Sequence, residues 1–200
     1  LMTLPSSVHG MTTQTICLIR ADVRVTSDWL ASELSSSSTY FALSHSSLAQ
    51  VAELLVPGVS SSRAKALLAW NDWTLMLTGG PLGTDPGLIP SRAAGRLGVL
   101  AISATANPGP DNEATALEVF DPEVTTNGCL RRSIAVVRES SWRFHEWGER
   151  FPFEQPEFYD ERSKRERFTP VLLDDYLTFL GAPRDLRDID PKRTYLHTSG

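Results

Sequence analysis

The residues best placed by type to do chemistry lie in "HEWGERFPFEQPEFYD", residues 145–160, where one histidine, several carboxylates and several aromatic rings crowd together. His145 with Glu146 or Glu149 has the makings of an acid/base pair, in which a carboxylate orients and charges an imidazole that takes a proton from a substrate. Adding Glu154 gives a set with metal-ligand chemistry. A strand turns neighbouring side chains to opposite faces, so His145 and Glu146 meet only across a bulge or a turn. His9, His45 and His197 lie far off in sequence. No metal centre and no cofactor are therefore expected.

The same stretch reads differently as a surface. Trp147, Phe151 and Phe153 are anchors of the kind that dominate protein interfaces, and Glu149, Glu154 and Glu157 are carboxylates able to meet a partner's cations. Pro152 and Pro156 hold this chain extended, so that its rings, Phe158 included, can also fold back over the end of a sheet. Asp72, between Trp70 and Trp73, belongs to the same class: a carboxylate among rings can grip a cation, although Asn71-Asp72 is also plain turn chemistry.

Other candidates carry less. The serine run at 35–38 lacks a G-x-S-x-G setting. "GGPLGTDPG" (79–87) has neither the Lys-Ser/Thr of a phosphate loop nor dinucleotide glycine spacing, and reads as turns. Cys17 sits in an apolar run and reads as a buried thiol; Cys129 follows Asn127-Gly128 in a turn. "DERSKRER" (160–167) is a mixed charge run expected on a solvated face.

The elements that must position these residues follow from pattern. "TICLIRADVRV" (15–25) reads as a strand or a bent strand, and "TSDWLASEL" as a helix capped by Thr26 or Ser27. Leu48, Val51, Ala52 and Leu55 share one face of a helix stopped by Pro57-Gly58. "WTLML" alternates as a strand, "PSRAAGRLG" is a short helix with Pro90 in its first turn and Gly98 at its end, and "VLAISATA" is a strand. "ATALEVFD" and "LRRSIAVV" read as consecutive antiparallel strands. Thr169 caps, and Pro170 opens, a final amphipathic helix ended by Gly181 and Pro183.

These elements predict an α+β fold, one mostly antiparallel sheet flanked by helices. Residues 1–14 are expected to be a flexible N-terminal leader with Met11 a candidate natural start, 15–183 a single domain, and 184–200 a polar tail. With 200 residues, 41% hydrophobic and 22% charged, the chain can bury one core. A formal charge of −5 argues against nucleic acid as a partner. No apolar run reaches the roughly 20 residues a bilayer span needs, and the first residues lack a secretory pattern, so a cytoplasmic protein without membrane contact is expected.

The order of "WNDWTLML", "PSRAAGRLG", "ATALEVFD", "LRRSIAVV", "GERFPFE" and the closing helix resembles small bacterial immunity-type proteins that neutralise secreted polymorphic toxins, over residues 46–183. That resemblance implies a non-enzymatic binding protein whose acidic, aromatic surface covers a toxin's active site. The alternatives are a small hydrolase or transferase using the His-Glu pair, and a structural component of a phage or secretion assembly.

Overall fold

The computed structural model describes residues 13–33, 38–43, 51, 55, 64–79, 83–84, 86–107, 113–183 and 189–199. Its strands are β1 (Thr13–Ile19), β2 (Ser38–Leu43), β3 (Lys65–Trp70), β4 (Trp73–Thr78), β5 (Gly83–Thr84), β6 (Ala101–Asn107), β7 (Ala114–Phe120), β8 (Leu130–Arg138), β9 (Trp142–Gly148) and β10 (Ile189–Ser199). Its α-helices, among the described residues, are α1 (Val23–Glu33), α2 (Ile89–Leu97) and α3 (Pro170–Phe179).

Nine strands form one sheet in the order β2-β10-β3-β4-β1-β6-β7-β8-β9, every neighbouring pair antiparallel, while the two-residue β5 pairs parallel with β1. The fold is the predicted one, an α+β sheet flanked by helices. One face carries Leu18, Leu68, Trp70, Trp73, Ile102, Leu117 and Ile134 and is covered by α3 and Phe168. The other carries Cys17, Ile19, Leu67, Met76 and Phe120 under α1 and α2. Because both faces of β4 are covered, all six of its residues are buried.

The ends of the elements follow local chemistry. Thr169 accepts a hydrogen bond from Leu172 N at 3.3 Å and Pro170 follows it, so α3 starts where the sequence predicts. Gly98 closes α2 in the left-handed conformation, its N–H returning to Ala94 O. Asn71 (φ 56°) and Asp72 make the two-residue turn that pairs Trp70 with Trp73.

Two expectations need correction. Helix α1 begins at Val23, not at Thr26, because Asp22 takes the cap position and accepts from Arg24 N at 2.8 Å. Thr26 and Ser27 lie inside the helix and are buried against the sheet. The polar tail is also overturned: residues 189–199 form β10, an interior strand held between β2 and β3. Pro191 and its charged neighbours sit at an irregularity in register between Asp190 and Thr194, beyond which Thr194, Tyr195, Leu196 and His197 continue the ladder. Of the helix expected around Leu48 to Leu55, Val51 and Leu55 are helical and buried. Leu48 and Ala52, the serine run at 35–37, residues 80–82 and 85 of the 79–87 loop, His9 and His45 lie outside the described residues. Among the described residues no helix is long and apolar enough to cross a membrane.

Candidate functional site

The 145–160 stretch is organised by a residue upstream of it. On β8, Arg132 shares its face with Ile134 and Val136, which points a guanidinium into the apolar side of the sheet. A cation there is tolerable only when paired. Glu154 supplies the partner: Arg132 Nε and Nη2 donate to its two oxygens at 2.9 and 2.7 Å. Nη2 also donates to Glu146 at 2.6 Å, and Nη1 to the carbonyls of Trp147 and Gly148 at 3.1 and 3.2 Å. Burial opposes the charge on Arg132, and the hydrogen bonds of Glu154 and Glu146 more than offset it, raising the guanidinium pKa.

Glu154 is fully used. It also accepts from Phe151 N at 2.9 Å and from the Tyr159 hydroxyl at 2.8 Å. Since the single Tyr159 proton goes to the carboxylate, Tyr176 donates across the 3.0 Å Tyr159–Tyr176 contact and itself accepts from Gln155 N at 2.9 Å. Burial, then the Tyr176 and Glu154 contacts, push the Tyr159 phenol upward. Glu146, half outside this cluster, is held below the usual carboxylate range by Arg150 and, after the opposing cost of burial, by Arg132. The network fastens the segment after β9 to the sheet and to α3. Gly148 permits the entry: with φ 88°, a side-chain carbon there would lie 2.1 Å from Arg131 O.

Fastening this segment lifts its rings to one end of the sheet. Phe151 and Phe153 stack with centroids 5.1 Å apart, Phe153 stacks on Phe179 at 5.2 Å, and the Arg131 guanidinium lies over Phe151 at 4.7 Å. Phe179, the last residue of α3, is 61% exposed. Beside this ladder runs a groove of about 660 Å³ whose walls include Asp72, Arg20, Asp121, Glu123, Arg131 and Phe151. Arg20–Asp72 (3.3 Å) and Arg131–Asp121 (2.6 Å) are ion pairs along it, and Glu123 is exposed.

The structure thus brings Asp72 and Phe151 to one groove, with Phe153 stacked on Phe151, and separates the rest. Trp147 and His145 project from the opposite face of β9, opposite Ser133 and Ala135, while Glu146 lies on the covered face opposite Ile134. The convergence a His145-Glu146 acid/base pair requires is absent, and β9 pairs with β8 without a bulge. Glu149 and Glu157 are exposed. Glu154, expected at a partner surface, is withdrawn from it by Arg132. Among the described residues no cluster of His, Cys, Asp and Glu could hold a metal ion.

Sequence reasoning missed Arg132, Arg131 and Phe179. The alternation Arg132, Ile134, Val136 was a readable signal for the first; nothing local marks the other two. It also missed Ser27 and His197, which meet at 3.0 Å between α1 and β10, both buried. Burial, aided by nearby Lys65, lowers the His197 pKa to about 4, so its imidazole is neutral near pH 7. Enclosed by helix and sheet, this pair packs the core. Burial alone pushes the Cys17 thiol upward.

No protein-family model matches the chain, and no curated protein or solved structure is detectably similar to it.

Proposed function

We propose that this chain is a non-enzymatic protein-binding domain of the immunity type, which neutralises a partner toxin by covering its active site with the sheet-end groove and its aromatic ladder. The observation that carries the reading is Phe179: a ring 61% exposed, stacked on Phe153 and through it on Phe151, which lines a groove that also bears Asp72 and Glu123. Rigid aromatic anchors beside a concavity are what interface hot spots are made of. Their stacking fixes them before binding, which lowers the ordering cost of association. The carboxylates meet cationic groups of the partner and speed encounter.

The test is binding to the products of neighbouring genes, measured by calorimetry with wild-type protein and with Phe179→Asp and Glu123→Lys. Both positions are exposed, so the fold should survive. The reading expects one tight partner whose affinity falls by about tenfold or more for Phe179→Asp. A tight partner indifferent to both substitutions overturns it.

A further inference from the structure

Among the described residues no strand pairs with the outer edge of β9. Arg138 N donates to Glu113 O at 2.8 Å, which fixes the alternation along β8: Arg138, Val136 and Ile134 bond toward β7, and Val137, Ala135 and Ser133 bond toward β9. Their partners on β9, namely Arg143, His145 and Trp147, are committed inward. The backbone N–H and C=O groups of Trp142, Phe144 and Glu146 therefore point away from the sheet, and among the described residues no other element bonds to them.

Edges of this kind are usually blunted by proline, bulges, shortness or charge. Strand β9 has seven residues, no proline and no register shift. Its two charged side chains are already tied down: Arg143 bonds Glu139 at 2.7 Å, and Glu146 is held by Arg132 and Arg150. Neither repels an incoming strand as a free charge would.

We propose that β9 pairs antiparallel with β9 of a second copy of this chain, about a two-fold axis through His145, joining two sheets into one. His145 is the midpoint of Trp142–Gly148, so this register alone overlaps the whole strand. It lets Phe144 and Glu146 exchange backbone hydrogen bonds with Glu146 and Phe144 of the copy. The register is self-complementary in side chains. On the open face it sets Arg143, 53% exposed, against Trp147, 45% exposed, of the other copy, a cation over an indole on each side of the axis. An isologous contact of this kind is concentration-dependent and leaves the sheet-end groove free.

The test uses analytical ultracentrifugation over a concentration series together with cysteine cross-linking. Wild-type protein should associate to a dimer and no further. His145→Glu, at an exposed position, sets two carboxylates opposite each other at a Cβ separation of ~4.5–5.5 Å, and should weaken the dimer by about tenfold or more, with the thermal midpoint unchanged at concentrations where both proteins are monomeric. In a Cys129→Ser background, His145→Cys should form a symmetric intermolecular disulfide under mild oxidation, because directly opposed side chains meet disulfide geometry. Arg143→Cys alone should not, since its opposite residue is Trp147. A wild-type monomer at millimolar concentration overturns the proposal, even one that takes up an extended strand from another protein. A dimer indifferent to His145→Glu, or one in which Arg143→Cys cross-links and His145→Cys does not, also overturns it.

Discussion

Arg132 and Glu154 lie 22 residues apart in sequence and make a two-point contact, at 2.9 and 2.7 Å, with both side chains 1% exposed. The part of the binding surface made by Phe151 and Phe153 depends on that contact, because it anchors the segment from which those rings project.

Removing one partner leaves a buried charge without its counterpart. Glu154→Ala should therefore destabilise the fold by about 3–5 kcal/mol, read from urea unfolding. The double variant Arg132→Met with Glu154→Leu should recover part of that loss, because apolar groups replace a costly buried pair, while Phe151 N and the Tyr159 hydroxyl lose their acceptor and keep it below wild type. Additive losses in the double variant would contradict the account. A corollary is that Glu154 cannot serve to probe binding, since its loss disturbs the fold first.

The two phenols act as a relay of hydrogen bonds. Tyr176→Phe strands the Gln155 N–H and Tyr159→Phe weakens the anchor on Glu154, each at a cost of ~1–3 kcal/mol. Since they share one contact, a double-mutant cycle should give a loss smaller than the sum.

Stability should fall on the acid side in a window set by His197. Its folded pKa of about 4 lies below the ordinary 6.5. The depressed value means the contribution is fully present above pH 6.5, where both states hold a neutral ring, and is lost as pH falls toward 4, because the unfolded chain takes up a proton that the folded one refuses. The loss should reach about 3 kcal/mol by the folded pKa. His197→Asn should flatten this part of the profile in thermal unfolding scans. Any remaining acid sensitivity at lower pH falls to carboxylates such as Glu146, whose depressed pKa acts with the same sign.

Glycine requirements separate two otherwise similar positions. Gly148→Ala should cost more than about 3 kcal/mol, because φ is 88° and the new carbon meets Arg131 O at 2.1 Å. Gly87→Ala, at φ 56° with nothing within 4 Å, should cost only about 1–2 kcal/mol.

The parts of this fold that were legible in the sequence are those with local signals. Alternation marks β7 and β8, and Thr169-Pro170 and Gly98 mark helix ends. Strand β10 was hidden because Pro191 and the charges around it look like a tail, and only pairing with β2 and β3, distant in sequence, makes it a strand. The candidate surface was half legible. Asp72 and Phe151 meet because the turns that carry them fall at the same end of the sheet, which no local pattern encodes. Trp147 was misplaced for a simple reason: strand alternation sends it to the face away from the Phe151 ladder. Glu154 has no local mark of burial, because what buries it is Arg132, 22 residues away in sequence.

The central claim is that the sheet-end groove and its ladder form the contact surface. Hydrogen exchange of the protein alone and bound to its partner tests this most directly. The account predicts new protection at Asn71 and Asp72, across 121–124 and around Phe151 and Phe153, with the backbone of 142–147 unchanged. Protection elsewhere, with exchange at those three turns unaltered, would contradict it.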